Sequence, residues 1–242
     1  MFGMGLVGLA LLLPASSSHA IRPFVTDDAR VVGAGLAQVE TWLFANRTEW
    51  IHNALFAVGP VDWLELTTGF LHGTSRSPRG DDWSHTGGLV QFKALLREAL
   101  SDDWPGVAVA GGVIPVTGRG FLRPGGQGRF LFAALTQNIR DEALLIHANL
   151  GTAVERCQEC SSNVTTGGLG FQGRVRGGFH VVGEFYRGDP YQPTRRGNAV
   201  QMGVRHIFSD QVQVDGTLGR AVSGPADTWL TIGIRLVSPR LW

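Results

Sequence analysis

Two cysteines are the residues of this chain whose spacing has the most direct chemical meaning. Cys157 and Cys160 form a C-x-x-C pair in the stretch ERCQEC, and the chain has no other cysteine. Such a pair can be a redox motif, half of a zinc site or a disulfide. No second half of a zinc site follows, and no thioredoxin-like pattern surrounds the pair. We therefore favour a disulfide that pins a loop, with a metal site that adds Glu155 and Glu159 as the alternative.

Residues that could support catalysis are scattered along the chain. Histidines stand at 52, 72, 85, 147, 180 and 206, and the serines cluster in expected loops. The sequence has no G-x-S-x-G, H-E-x-x-H or phosphate-loop motif. The glycine-rich stretch RPGGQGRF at 123–130 is followed by no helix that could cradle a phosphate, and it is typical of a flexible loop. The sequence thus predicts no enzyme, no cofactor and no metal centre.

The remaining polar residues share a position in an alternating pattern. In the stretch DQVQVDGTLGR, at 210–220, one parity is apolar and the other is polar, as expected for a β-strand with two different faces. Residues of the polar parity recur along the chain and would lie on one face of a sheet. They are Gln38, Glu40, Glu65, Gln91, Lys93, Arg97, His147, Asn149, Gln172, His180, Glu184, Gln201, Arg205, Gln213, Asp215 and Arg235.

The elements that must position these residues are twelve strand-like segments of about ten residues, with no convincing helix between them. We expect strands near 36–46, 50–58, 62–72, 88–98, 105–114, 129–137, 142–152, 165–173, 177–187, 198–207, 211–220 and 227–237. From the second segment onward, tight connections alternate with connections that are mostly longer, such as 73–87, 115–128 and 153–164. Segments 50–58 and 129–137 are ambiguous, because both parities are partly apolar.

Two architectures use strands of this kind. In a soluble β-sandwich the apolar faces pack on each other, whereas in a transmembrane barrel they face lipid. An even strand count, strands long enough to cross a bilayer and the sorting of short and long connections favour the barrel. Aromatic residues at both ends would form interfacial girdles. They are Trp63, Trp104 and Phe208 at one end, and Trp50, Trp83, Tyr186, Tyr191 and Trp229 at the other. We predict an all-β, antiparallel, up-and-down transmembrane barrel with short periplasmic turns and longer extracellular loops.

The amino terminus and the composition predict where in the cell the protein is located. An apolar run at 6–13 followed by small residues predicts a signal peptide over residues 1–20, cleaved near Ala20. Residues 21–242 then form one barrel domain, in which residues 21–35 lie in the periplasm or in the lumen. Asp27 and Asp28 could meet lumen arginines there, although a solvated turn is the simpler expectation. With a net charge of +1, nothing in the composition suggests a nucleic-acid partner, which usually requires a basic stripe.

The mature amino terminus also resembles a known family. Residues 22–28 read RPFVTDD, and Gln38-Val39-Glu40 follow a glycine-containing spacer. The next hairpin has a G-x-x-D-x-x-E turn at Gly59, Asp62 and Glu65. These features are similar to the transporter family labelled "MetA-pathway of phenol degradation", over about residues 22–73. The resemblance implies an outer-membrane β-barrel with a presumed transport role.

These observations predict a passive outer-membrane channel for small molecules, with hydrophobic or aromatic solutes as candidates. The alternative is a structural or adhesive barrel with a plugged lumen and partner-binding loops. The expected partners are the lipid bilayer, a small-molecule solute and, during biogenesis, the barrel assembly machinery. The terminal Trp242 partly matches the signal that this machinery reads, because Pro239 interrupts the alternation. If the facing is right, Val214→Arg should hinder assembly, whereas Asp215→Arg should only alter selectivity.

Overall fold

The computed structural model describes residues 24–77, 80–157, 161–192 and 196–242. Twelve strands form one closed barrel, in which each strand pairs antiparallel with its chain neighbours and β1 pairs with β12. A single 3-10 turn spans Gly120–Leu122. The strands are β1 (Ala37–Ala45), β2 (Glu49–Val61), β3 (Leu64–Ser77), β4 (Gly80–Arg97), β5 (Gly106–Ile114), β6 (Gln127–Ile139), β7 (Leu144–Arg156), β8 (Ser161–Arg176), β9 (Phe179–Arg187), β10 (Asn198–Ser209), β11 (Val212–Ala221) and β12 (Thr228–Val237).

The predicted fold is confirmed, and its physical basis is the alternation in the sequence. Along β6, for example, Phe130, Phe132 and Ala134 are buried in the barrel, while Leu131 and Leu135 are exposed on the outside. Closure gives every strand a hydrogen-bonding partner on both edges, which a sheet in hydrocarbon requires. In the part of the chain that the structure describes, no helix is long and apolar enough to cross a membrane.

Two of the connections that we expected to be long loops are mostly strand. The β3–β4 hairpin continues through register pairs up to Ser77↔Gly80, and the β7–β8 hairpin continues to Arg156↔Ser161. Both hairpins therefore extend beyond the barrel wall. Their polar residues at 74–77 and 161–163 hid the strand pattern, since strands above a membrane need no apolar face. The connection at 115–126 is a true loop.

The outer surface carries aromatic residues near both ends, but the second predicted girdle is partly wrong. Trp63, Trp104 and Phe208 are exposed at the end with the tight turns. Trp50 and Trp83 pack against each other on the outside near the opposite end, with ring centroids 5.5 Å apart. The side chains of Tyr186, Tyr191 and Trp229 instead point into the barrel, where they line a cavity.

Candidate functional site

The barrel interior is polar toward the end with the tight turns. Of the sixteen residues of the polar parity, all except Asn149 and Arg97 are buried. Many of them lie in the half of their strand that is nearer the tight turns, for example Glu65, His147, Arg205, Asp215 and Arg235. The structure thus collects these side chains inside one half of the barrel. The passage of a solute along these side chains stays a prediction.

Arg97 does not join this group. The register shifts between Leu95 and Arg97, so that Arg97 pairs with the outward-facing Val107. Arg97 is exposed and forms an ion pair with Asp103 in the β4–β5 turn, at 3.2 Å. A β-bulge inserts one residue and reverses the facing of everything beyond it, and strict alternation could not detect it.

The amino-terminal segment Phe24–Leu36 lies inside the barrel, and we call it the plug. Its upper part is fixed by the wall: the backbone amides of Val25 and Thr26 each donate to the Glu184 carboxylate, at 2.9 and 2.8 Å. The side-chain amide of Asn149 forms two hydrogen bonds with the backbone of Asp27. Its oxygen accepts from the Asp27 amide at 2.5 Å, and its nitrogen donates to the Asp27 carbonyl at 2.8 Å. Side chains of the strands therefore replace the backbone partners that the plug lacks.

A buried ion cluster holds the middle of the plug. The Lys93 ammonium lies 2.9 Å from Asp27 and 3.3 Å from Asp28. Arg30 contacts Asp28 at 2.9 Å and reaches Glu142 at 3.0 Å. Burial raises the pKa of Asp28, but the cations of Lys93 and Arg30 outweigh it and lower that pKa to about 2. Asp28 is therefore an anion at neutral pH. The expectation of a solvated turn is wrong, and the aspartates meet Lys93 of β4 and Arg30 of the plug itself rather than arginines of the barrel wall.

The lower part of the plug is also hydrogen-bonded to the barrel wall, and one glycine of the wall makes room for its upper part. The amide of Ala29 donates to Thr136 Oγ1 at 2.8 Å, and the amide of Val32 donates to Glu65 at 2.9 Å. Beside the upper part, a methyl group on Gly168 would overlap Thr26. Gly168 thus allows the close approach between the plug and β8.

Above the plug lies a cavity of about 430 Å³ with mostly apolar and aromatic walls. Phe24 and Val25 of the plug form part of its boundary. Its polar groups include Gln201 and Thr231 and the charged Arg123, Glu155 and Asp189. The Phe44 and Trp229 rings stack at 6.1 Å, and the Tyr191 hydroxyl donates to Gln91 at 3.1 Å. The larger apolar side chains in the wall are Trp42, Phe44, Ile51, Leu55, Leu71, Leu89, Ile114, Tyr186, Tyr191 and Trp229.

A second, much smaller cavity of about 40 Å³ lies against the charged cluster, bordered by Glu40, Glu65 and Lys93. Phe24, Val25, Leu55 and Tyr191 border both cavities. These four residues therefore form the partition between the apolar upper space and the polar lower space.

The long connection at 115–126 folds over the upper cavity. Phe121, Leu122 and the segment 123–126 contribute to its wall. The loop is fixed to β4, because Ser84 Oγ donates to the Arg119 carbonyl at 2.6 Å and accepts from the Leu122 amide at 2.7 Å. The glycine-rich stretch that we expected to be only a flexible loop is thus a wall of the cavity, and its last residues begin β6.

Sequence reasoning missed the apolar residues of the upper cavity and the plug. The signal for the cavity was present: segments 50–58 and 129–137 are apolar on both parities because their inner face is apolar as well. Trp229 already had the inward parity of Thr231 and Arg235. The plug had no comparable signal, since an irregular segment bonded by distant side chains has no periodicity.

Two predictions about chemistry remain open. The disulfide and the alternative metal site include Cys160 and Glu159, which lie outside the described residues. Among the described residues, no group of three or more histidine, cysteine, aspartate or glutamate side chains is placed to hold a metal ion.

Comparison with known proteins places the chain in a conserved group. A family model described as "Uncharacterised conserved protein UCP029691" matches residues 8–237. No curated protein sequence matches. The resemblance to the phenol-degradation family therefore stays a prediction.

Solved structures share the fold at low sequence identity. The COG4313 outer membrane channel from Pseudomonas putida F1 superposes with a TM-score of 0.64 at 15% identity, covering 87% of this chain and 98% of that one. The KdgM porin gives 0.59 at 7% identity, with 82% and 98% covered. The NanC porin gives 0.58 at 8% identity, with 83% and 98% covered.

Proposed function

The chain belongs to the family described as uncharacterised conserved protein UCP029691, and we propose that it is an outer-membrane channel for small apolar or aromatic molecules. The observation that carries this proposal is the upper cavity, whose size of about 430 Å³ and aromatic wall match a small-molecule site. The structural neighbours named as a channel and as porins support a transport role over an enzymatic one.

The plug sets how such a channel would work. The partition of Phe24, Val25, Leu55 and Tyr191 separates the upper cavity from the polar half. A solute would bind among aromatic rings first and reach the periplasm only when the plug shifts. The polar wall below, with both signs of charge, then offers hydrogen bonds to the solute's polar atoms.

The alternative, a structural or adhesive barrel with a plugged lumen, has the plug itself in its favour. Its loops should then face outward to meet a partner. The loop at 115–126 instead lines the cavity through Phe121 and Leu122. This placement favours solute binding as the role of that loop.

Solute binding is tested with the purified barrel in planar bilayers and by its tryptophan fluorescence, since Trp42 and Trp229 line the cavity. We expect an aromatic solute to quench the fluorescence and to reduce the current when it is added from the loop side, whereas a sugar of similar size should do neither. Phe44→Ala should weaken both effects. The matched control Phe208→Ala changes an exposed ring at the opposite end and should leave both effects intact.

Equal responses to the aromatic solute and the sugar would contradict the proposed selectivity. A barrel that shows neither current nor quenching would contradict the channel. If deletion of residues 117–124 abolished binding of a partner while solute binding stayed unchanged, the adhesive alternative would replace it.

A further inference from the structure

Four arginines point away from the barrel at the end opposite the tight turns: Arg129, Arg156, Arg187 and Arg220. We call them the arginine belt. Each is exposed, and each has the outward parity of an exposed apolar neighbour on its own strand, such as Leu131, Phe185 and Leu218. The belt therefore lies on the outer wall and is separate from the lumen and its cavities.

The position of the belt along the strands places it at a membrane boundary. Arg187 is the ninth and last residue of β9, and Arg220 is the ninth residue of β11, counted from the tight-turn end. Counted from the same end, Arg129 is the eleventh residue of β6, and Arg156 is the thirteenth and last of β7. A tilted strand needs about 9–11 residues to cross the hydrocarbon, so three of the guanidinium groups emerge where lipid headgroups begin and that of Arg156 lies just above them.

The belt forms two pairs. Arg156 faces Gln127 across the β6–β7 ladder and Arg129 faces Val154, so the two arginines are diagonal neighbours. Arg187 pairs with Asn198, and Arg220 pairs with Val200 two residues further along the same strand, β10. Arg129 and Arg156 lie on adjacent strands, and β10 alone separates Arg187 from Arg220, so the two long side chains of each pair can extend toward one multiply charged anion.

Among the described residues, the outward-facing strand positions around the belt, on this half of β6 to β12, carry no aspartate or glutamate. None of the ion pairs between described residues involves the four belt arginines. The tight turns at the other end differ, since Asp103 forms an ion pair with Arg97 there and Asp141 follows Arg140 in the chain.

We propose that the arginine belt binds lipid headgroups that carry phosphate monoesters, in the leaflet that surrounds the loop end of the barrel. Arginine suits this role because its planar fork donates two hydrogen bonds to one phosphate. The apolar residues directly below, such as Phe185 and Leu218, would contact the acyl chains of the same lipid. The belt would thus fix the height of the barrel and retain a shell of phosphorylated lipid.

The test uses the full barrel in phosphatidylcholine vesicles that contain a glycolipid carrying phosphate monoesters, the same glycolipid without its phosphates, or inorganic phosphate in the buffer. Native mass spectrometry after mild detergent extraction counts the glycolipid molecules that each barrel retains. The heat-modifiable band on a gel measures thermal stability. We expect retention and a higher melting temperature only with the phosphorylated glycolipid.

The variant R187Q/R220Q should lower the affinity for this glycolipid by about fivefold per arginine, because a basic residue near an anionic surface contributes about 1 kcal/mol. The control R97Q/R176Q removes two exposed arginines at the tight-turn end and should retain the lipid as the unmodified barrel does. Unchanged retention in R187Q/R220Q, or equal retention of the dephosphorylated glycolipid, would overturn the proposal. So would a stability gain that inorganic phosphate alone reproduces in full.

Discussion

Lys93 is the residue on which the plug most depends. It is the only lysine in the chain, it is 2% exposed, and it contacts both Asp27 and Asp28. An ammonium between two carboxylates is a net gain only while all three groups are present, because each alone would be a buried, unpaired charge. The cluster therefore acts as a unit that joins the plug to β4.

Removal of the lysine charge should release the plug. Lys93→Met leaves Asp27 without its cation and Asp28 with Arg30 alone, which destabilises the docked plug by about 3 kcal/mol. A change of about 3 kcal/mol shifts the docked–released equilibrium by roughly 100-fold. We expect larger conductance steps in planar bilayers from a barrel whose gel mobility is unchanged.

A triple variant provides the control for that substitution. Adding Asp27→Asn and Asp28→Asn to Lys93→Met removes the unpaired anions, and amides can still bond to their neighbours. The conductance should then return toward the value of the unmodified barrel. If Lys93→Met and the triple variant conduct equally, the charge cluster does not hold the plug.

At the scale of elements, the plug and the wall are separable. The twelve strands form a complete hydrogen-bonded ring without any contribution from residues 24–36. The plug is instead held by side chains of five strands, through Glu65, Lys93, Thr136, Asn149 and Glu184. Replacement of residues 24–34 by an equally long glycine–serine segment should therefore raise conductance while the barrel still assembles.

A loop replacement of the same kind is the matched comparison. Residues 222–226 connect β11 to β12 and lie outside the set that borders either cavity. Replacing them by glycine and serine should leave conductance as it was. A plug replacement that behaves like this loop replacement would show that the plug does not limit the pore.

The cost of a charged substitution on the lipid-facing side of a strand depends on its depth in the membrane. Ile232 is outward-facing and 54% exposed near the middle of β12, whereas Thr228 has the same facing at its loop end. An arginine on the lipid face costs about 2–4 kcal/mol at the midplane and about 0–1 near an interface. Ile232→Arg should therefore lower the yield of folded, heat-modifiable barrel, and Thr228→Arg should not. Equal yields would place Ile232 away from the membrane core.

Elements with a period were predictable from the sequence, and irregular contacts were not. The twelve strands follow from alternation, which local sequence carries. The Leu96 bulge, which turns Arg97 outward, and the plug depend on residues far apart in the chain, such as Glu184 with Thr26. The inward facing of the cavity aromatics could have been predicted from the sequence. The parity of Trp229 already indicated an inward side chain, and only the expectation of an aromatic girdle placed it outside.

At the scale of the whole molecule, the even number of strands places both ends of the barrel wall at the tight-turn end, where Leu36 enters β1 and Val237 ends β12. Beyond β12 the chain stays at this end, since the Leu241 amide donates to the Gly35 carbonyl at 2.7 Å. The arginine belt and the opening of the upper cavity belong to the opposite end. A channel that takes up solutes from outside therefore requires the loop end to face the exterior.

This orientation can be measured on intact cells by placing a cysteine at either end of one strand and labelling each with an impermeant reagent. Ala226→Cys lies in the exposed β11–β12 loop, and Asp210→Cys lies in the exposed β10–β11 turn, so β11 separates the two thiols. A membrane-impermeant maleimide should label Ala226→Cys on intact cells and Asp210→Cys only after the outer membrane is permeabilised, because a tight turn stays on the side from which a barrel inserts. The unsubstituted chain measures any background from Cys157 and Cys160. If only Asp210→Cys were labelled on intact cells, the barrel would have the opposite orientation, with both the cavity and the belt on the periplasmic side.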